Sequence, residues 1–182
     1  IQHGRPTPDI DVGNGNKFIQ RKLEIIVSTF NVQTLNSISK KHELAYHAEK
    51  QGIDIICLQE HRFVHSEVLL KEKIDGYTLI TSSAWKNAIN GSIGGIGFLL
   101  SPRAMKAISN ITKHNDRILE ITLNDNPNTT IICSYSPHNE QPDERAEFFY
   151  HELSTIMDNI PAHNFLLLGG NFNAQRGPND AQ

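Results

Sequence analysis

The chain has 182 residues and a net charge of −3 at pH 7, and 38% of its residues are hydrophobic while 20% are charged. This composition indicates one globular domain with a sizeable core and excludes a predominantly disordered chain. No apolar run approaches the ~18 residues of a membrane-spanning helix, and the negative charge does not favour tight non-specific binding to nucleic acid. Because the first residue is Ile1, we expect a trimmed piece of a longer product.

Residues 1–20 are rich in Gly, Pro, Asn and Asp, which predicts a flexible arm before a folded domain in residues 21–182. Apolar runs that contain β-branched residues predict the first strands, at residues 23–27, 53–58, 77–81 and 94–100. Surface helices are predicted over residues 40–51 and 65–73. Residues 83–92 are predicted to be a polar loop, and Cys57 and Cys133, inside apolar runs, to be free buried thiols.

In the second half of the chain, residues 117–123 alternate apolar and polar side chains, which predicts a half-buried strand paired through a hairpin with residues 129–133. Residues 141–159 predict the longest helix, because Pro142 suits a first turn and an apolar stripe follows. The last predicted strand begins at Phe165, and Gly169 and Gly170 are expected to end it. Mixed alternation of strands, helices and hairpins favours an α/β layered sandwich.

Four predicted strands end in polar residues of types found in active sites, namely Asn31, Glu60, Tyr135 and the pair Asn171 and Asn173. If these strand ends meet at one edge of the sandwich, the side chains form one site. Glu60 is the carboxylate of the set, and its hard oxygens suit Mg²⁺ or Mn²⁺, whereas Asn31 can hydrogen-bond metal-bound water or a phosphate oxygen. Each residue also has a purely structural interpretation, as a turn residue, a surface acid or a strand tyrosine.

Two other patterns, a pair of histidines and a group of glycines, give weaker indications of a binding site. His61 and His65 have the i, i+4 spacing of zinc ligands, but they flank a strand-to-loop turn, so zinc is a minor alternative. The glycines between residues 91 and 97 lack the Gly-Lys-Ser/Thr ending of a phosphate-binding loop, and they indicate close approach of strands instead.

Six short motifs occur in the order typical of the endonuclease/exonuclease/phosphatase superfamily. They are Thr29-Phe30-Asn31-Val32, Gln59-Glu60-His61-Arg62, Gly94-Gly95-Ile96-Gly97-Phe98, Asp116-Arg117-Ile118, Tyr135-Ser136-Pro137 and Gly170-Asn171-Phe172-Asn173-Ala174. The chain resembles this superfamily over residues 23–177. Within it, the chain is most similar to the endonuclease domain of non-LTR (LINE/RTE-type) retrotransposons, and apurinic/apyrimidinic endonucleases share the same plan.

The resemblance implies a four-layer α/β sandwich of two mixed sheets flanked by helices, as in DNase I, and Mg²⁺-dependent hydrolysis of DNA phosphodiesters. It implies that Glu60 ligates the metal with Asn31 beside it, that Tyr135 contacts the phosphate, and that Asn173 orients the phosphate or the nucleophile. Two further residues are expected at the substrate phosphate, Arg117 and His138.

Two departures from the family pattern bear on activity. The family has aspartate at position 171, where it positions and deprotonates the attacking water, and Asn171 cannot act as a base. The family's later Ser-Asp-His segment does not occur before Gln182. We therefore expect the C-terminal strands to be missing, and an uncovered strand edge that favours self-association or a partner chain.

Three functions remain open at this point. The first is a DNA-nicking endonuclease domain of a retrotransposon-type protein, which would precede a reverse transcriptase domain and act inside the cell, in the nucleus. The second is a catalytically inactive remnant that serves as a binding or structural module. The third is a phosphatase or phosphodiesterase that acts on lipid or nucleotide phosphates.

Overall fold

Two β-sheets form the centre of the domain in this computed structural model, which describes residues 24–137 and 143–173. The first sheet has the order β1 (Val27–Asn31), β2 (Ile55–Gln59), β7 (Ile96–Leu100), β4 (Tyr77–Thr81) and β3 (Leu70–Ile74). The second has the order β11 (Phe165–Asn171), β10 (Thr129–Tyr135), β9 (Ile118–Leu123) and β8 (Ile108–Lys113). The other described elements are a hairpin of β5 (Trp85–Lys86) and β6 (Ser92–Ile93), and the helices α1 (Ile38–Lys50), α2 (Pro102–Ala107) and α3 (Asp143–Asp158).

Side chains alternate between the two faces of each strand, and this alternation produces the layers. In β2, Ile55 and Cys57 point into the core between the sheets, whereas Ile56 and Leu58 pack with buried residues of α1. Strands β9 and β10 alternate in the same way, with their outer face against Phe149 and the rest of the apolar stripe of α3. The order α1, first sheet, second sheet, α3 is a four-layer α/β sandwich, which confirms the predicted fold class.

Each sheet contains one parallel pair, and the two pairs lie at the same edge of the sandwich. β1 runs parallel to β2 with Asn31 opposite Gln59, and β10 runs parallel to β11 with Tyr135 opposite Asn171. The other strand neighbours in both sheets are antiparallel. The carboxyl ends of four strands therefore meet at this edge, as the sequence pattern predicted.

The glycines near the end of β11 do not end the strand, and that prediction is wrong. A Cβ at Gly169 would lie 2.9 Å from the Cys57 Sγ, and a Cβ at Gly170 would collide with the carbonyl oxygen of Ser134. Glycine is required because β11 passes closely against both β2 and β10. This close approach carries the strand on to Asn171.

The predicted helix over residues 65–73 is also wrong, because its second half forms β3. Asp75 and Gly76 have φ values of +47° and +86°, as in a two-residue hairpin turn, and β3 pairs along its length with β4. Pairing with a buried strand outweighs the local preference for helix. Strand β8 was not predicted, and the expected loop at residues 83–92 contains the hairpin of β5 and β6.

The first strand was predicted four residues too early, since the range 23–27 shares only Val27 with β1. The remaining strands and helices agree with the predicted ones to within a few residues, and both cysteines are free and buried. The predicted arm, His138 and the first residues of the predicted last helix lie outside the described residues. Within the described part of the chain, no helix has the length and apolar character needed to cross a membrane.

Candidate active site

The carboxylate of Glu60, directly after β2, is the centre of a polar cluster at the edge where the strand ends meet. The Asn31 Nδ2 donates to its Oε1 at 2.8 Å, and the Tyr135 hydroxyl donates to the same oxygen at 3.0 Å. The Arg62 Nη2 donates to Oε2 at 3.1 Å. These four residues, here called the Glu60 cluster, connect the ends of β1, β2 and β10 through one carboxylate.

A strained turn presents Glu60 to this cluster. Glu60 and Arg62 have φ values of +59° and +63°, in the left-handed region that costs a non-glycine residue ~1–2 kcal/mol. The turn is held from the neighbouring segment, because the Glu60 N–H donates to the Gly95 carbonyl at 2.8 Å and the Arg62 N–H to the Gly94 carbonyl at 3.0 Å. Backbone strain of this kind is concentrated at functional sites.

The protonation states of Glu60 and Tyr135 follow from burial and from their neighbours in the cluster. Burial raises the pKa of Glu60, but hydrogen bonds from Asn31, Arg62 and Tyr135 outweigh it and hold the pKa below its ordinary value. Burial and the neighbouring Glu60 carboxylate raise the pKa of Tyr135, so its hydroxyl keeps its proton. At neutral pH Glu60 is ionised and Tyr135 is a hydrogen-bond donor.

The turn after β11 brings two asparagines to the same edge. The Asn171 Oδ1 accepts a hydrogen bond from the Asn173 N–H at 2.9 Å, and Asn173 has a φ of +47°. The Asn173 Nδ2 donates to the Ser136 carbonyl at 2.8 Å, and its side chain also hydrogen-bonds to Tyr135, which opposes the rise of the tyrosine pKa. Asn173 therefore connects the end of β11 to the end of β10.

A cleft of about 380 Å³ opens between the ends of β1 and β11. Its described lining residues are Thr29, Phe30, Asn31, Gln59, Gly170, Asn171, Phe172 and Asn173. Asn31 belongs to both this cleft and the Glu60 cluster. The lining residues that the structure describes include no carboxylate and no histidine, so none of these side chains can accept a proton from water at neutral pH.

Arg117 lies behind Tyr135. Its guanidinium packs on the Trp85 ring, 4.5 Å from the ring centroid, and its Nη1 donates to the Tyr135 main-chain carbonyl at 3.1 Å. Burial lowers the pKa of Arg117, which stays charged at neutral pH. These contacts hold the end of β10 in place, and the contact between Arg117 and a substrate phosphate stays a prediction.

The donor set of the Glu60 cluster fits a hard divalent cation held by few protein atoms. Among the described donors, Oε2 of Glu60 receives one hydrogen bond, so this oxygen retains an acceptor direction. The Oδ1 of Asn31 accepts from the Gln33 N–H at 3.1 Å, so Asn31 as placed orients Glu60. The described residues contain no group of three or more His, Cys, Asp or Glu side chains placed to hold a metal ion.

The zinc alternative for the two histidines is not supported by the ring contacts. Phe63 N–H donates to the His61 Nδ1 at 3.0 Å, and the His61 Nε2 lies 2.9 Å from the Ser82 carbonyl oxygen. Both ring nitrogens of His61 are thus committed to protein atoms, and a metal would find no free lone pair there.

Two residues of this region, Arg62 and Gln59, were not predicted as site residues. Gln59 is buried, and its Nε2 lies 3.2 Å from the Thr29 Oγ1 and 3.4 Å from the Cys133 Sγ, so it joins the two sheets beneath the cleft. Both residues flank Glu60 in the motif at residues 59–62, which was the signal available for them.

Two facing mixed sheets, covered by helices and carrying a polar cluster at one edge, define the DNase I-like class of α/β sandwich. A family model described as the Endonuclease/Exonuclease/phosphatase family matches residues 28–181. The chain therefore belongs to the endonuclease/exonuclease/phosphatase family, whose enzymes generally depend on a divalent metal.

Solved structures with the same fold include an AP endonuclease from Archaeoglobus fulgidus, with a TM-score of 0.60 and 14% identity over 85% of this chain and 60% of that one. A 3′ phosphatase from Neisseria bound to a product DNA hairpin has a TM-score of 0.58 and 16% identity, over 85% and 60% of the two chains. These similarities show the fold. The chain spans 60% of the length of either protein.

Among curated proteins, craniofacial development protein 2 of Bos taurus is 24% identical over 175 residues, which are 96% of this chain and 28% of that protein. The protein of the same name from Tragulus javanicus is 23% identical over 96% of this chain and 29% of its own length. The chain thus spans less than a third of these relatives. Their names mention no retrotransposon, so that narrower relationship stays a prediction.

Proposed function

We propose that this chain is the phosphodiester-hydrolysing domain of a metal-dependent endonuclease that nicks DNA. The observation that carries the proposal is the Glu60 cluster, in which one ionised carboxylate is held by Asn31, Tyr135 and Arg62 at the strand ends of a fold shared with phosphoester-cleaving enzymes. A carboxylate so placed can hold a cation and a phosphate at one point.

Each residue has a distinct role in this proposal. When bound at Glu60, Mg²⁺ or Mn²⁺ would supply positive charge that stabilises the phosphate as its bond breaks. Tyr135 keeps its proton, and when substrate binds, this single O–H would turn from Glu60 to donate to a non-bridging phosphate oxygen. Asn173 holds Tyr135 in place through Ser136, and Asn171 faces the cleft where the attacking water would lie.

DNA is the proposed substrate because two of the fold neighbours are described as an AP endonuclease and a 3′ phosphatase bound to DNA. The net charge of −3 is compatible with this substrate, since a bound cation can attract a phosphate without a basic protein surface. The resemblance of the motifs alone supports a retrotransposon-type parent protein and a nuclear location.

A binding module without catalysis is the second candidate function. The observation that favours it is the cleft, whose described lining carries an amide at position 171 and no group able to accept a proton. In this case the chain would hold DNA at the same edge without cleaving it.

Nicking of supercoiled plasmid in the presence of Mg²⁺ or Mn²⁺ separates the two functions. An endonuclease predicts metal-dependent nicking that Glu60→Gln lowers by about 10²-fold, because an electrostatic contact to the reacting group is lost. Glu67→Gln is the matched control, since it removes the same charge from an exposed position outside the cluster. Retained DNA binding without nicking in the wild type would favour the binding module.

A further inference from the structure

His61 is a fully buried histidine that the proposed chemistry does not use. Its side chain has no exposed surface, although it lies between the two residues of the Glu60 cluster that have left-handed backbone conformations. Its Nε2 lies 2.9 Å from the Ser82 carbonyl oxygen and 3.2 Å from the Ile96 carbonyl oxygen. The ring therefore connects the turn after β2 to the ends of β4 and β7.

The partners of the ring determine its tautomer. Because the Phe63 N–H donates to Nδ1 at 3.0 Å, that nitrogen carries no proton, and Nε2 carries the proton that the two carbonyls share. Burial lowers the pKa of His61 to about 4, so the ring is neutral at physiological pH. A neutral histidine in this tautomer pairs with the partly buried Phe63 N–H and with the two buried carbonyls at once.

Gly95 shows that the site is shaped around this ring. A Cβ at Gly95 would lie 2.6 Å from the Cε1 and Nε2 of His61, and Gly95 has a φ of +89°. Its carbonyl accepts the hydrogen bond from the Glu60 N–H. The segment that supports Glu60 is therefore the same segment that packs on the imidazole ring.

We propose that His61 is a positioning residue, which holds the left-handed turn and so directs the Glu60 carboxylate toward Asn31 and Tyr135. Without the ring, the turn loses its connections to Ser82 and Ile96, and the strained φ values of its neighbours can relax. As far as it concerns cation binding, this inference rests on the proposed function. The orientation of Glu60 can be measured without any metal.

The metal-free test uses the side-chain amide of Asn31 as a reporter in NMR spectra, because its Nδ2 donates directly to Glu60. In His61→Ala we expect the Asn31 amide protons to move toward the values of an amide that is not bonded to a carboxylate, as in Glu60→Gln. Leu153→Ala in α3 is the control for general destabilisation, since it truncates a buried side chain of the opposite outer layer. An unchanged Asn31 amide in folded His61→Ala would overturn the proposal.

The cation test titrates each protein with Mn²⁺ and measures the affinity by calorimetry. We expect His61→Ala to bind about tenfold more weakly than the wild type, since tenfold corresponds to ~1.4 kcal/mol, the size of the cost of a left-handed residue. Leu153→Ala should bind with unchanged affinity, and equal weakening in both variants would count against positioning. If the wild type binds no Mn²⁺ through Glu60, the proposed function fails while the Asn31 amide still decides the role of His61.

Two further variants keep the test decisive if His61→Ala does not fold. His61→Asn retains an oxygen that can accept from the Phe63 N–H, so we expect both readouts to lie between those of the wild type and those of Glu60→Gln. Gly95→Ala displaces the ring from the other side and should shift the Asn31 amide in the same direction as His61→Asn. Wild-type spectra and affinity in both variants would contradict the proposal.

Discussion

Replacing Arg62 with glutamine should tighten cation binding at Glu60. The Arg62 guanidinium lies 3.1 Å from Oε2, the carboxylate oxygen that retains an acceptor direction, so the arginine and a cation compete for the same group. Charges of +1 and +2 about 5 Å apart repel each other by roughly 1.7 kcal/mol in water. The Arg62 side chain is 38% exposed, so salt and solvent screen the repulsion and reduce it to ~1 kcal/mol. This energy corresponds to a change of about fivefold in cation affinity.

The pH dependence of this effect has a definite sign. Arg62 is one of the hydrogen-bond donors that hold the pKa of Glu60 below its ordinary value, so its removal raises that pKa. At pH 7 the carboxylate stays ionised in both proteins and the gain in affinity is complete. As the pH falls toward the range in which carboxylic acids titrate, protons compete more strongly in the variant, and its advantage shrinks.

Calorimetric titration with Mn²⁺ at pH 7 and at pH 5 measures both effects. Lys106→Gln is the matched control, because it removes one positive charge from an exposed site on α2, beyond the opposite end of β7. It should leave the affinity unchanged. Unchanged or weaker binding by Arg62→Gln at pH 7 would refute the placement of the cation at Oε2 of Glu60.

Three further predictions concern stability and assembly. Asp54→Asn should lower the free energy of unfolding by ~2 kcal/mol at pH 7, because buried Asp54 accepts bonds from main-chain, hydroxyl and guanidinium donors. These bonds hold its pKa below the ordinary value against burial, so this stability is present above pH ~4 and is lost as the pH falls through the lowered pKa. The difference between the two proteins in urea titrations should therefore shrink as the pH is lowered through the acid range. Gly169→Ala should cost ~1–3 kcal/mol in urea unfolding, and Cys57→Ala in the same chain should recover part of that loss if the clash with Sγ is its cause. The exposed Phe165 and Leu168 on β11 predict concentration-dependent association in light scattering, which the double change of both to lysine should abolish, and a monomeric wild type would contradict this.

The gathering of the site was predictable from the sequence because it depends on a local pattern. Apolar runs that end in Asn31, Glu60 and Tyr135 place these side chains at strand ends, and parallel pairing then places the ends at one edge. The structure adds that Asn31 and Tyr135 both donate hydrogen bonds to Glu60, which the pattern of strand ends did not specify. The candidate residues at the strand ends can therefore be identified from the sequence without knowing the order of the strands in the sheets.

The parts that escaped prediction depend on contacts distant in sequence. Residues 70–74 form a strand because β4 pairs with them, and nothing within the segment itself specifies that partner. The part played by His61 follows from carbonyls 21 and 35 residues away, which no spacing of histidines could indicate. Gly169 and Gly170 suggested a turn because glycine is common in turns, whereas their actual requirement is the approach of β2 and β10.

Position 171 combines what the sequence can predict with what requires the structure. An amide cannot accept a proton from water, and that conclusion needs only the identity of Asn171. The structure adds that its Oδ1 accepts a hydrogen bond from the Asn173 N–H, a bond that an aspartate oxygen can accept equally well. Asn171→Asp should therefore leave the turn after β11 intact while adding charge and basicity beside the cleft. In a nicking assay, any change in rate in this variant would then report on the chemistry of the site, with an unchanged thermal midpoint as the check on the fold.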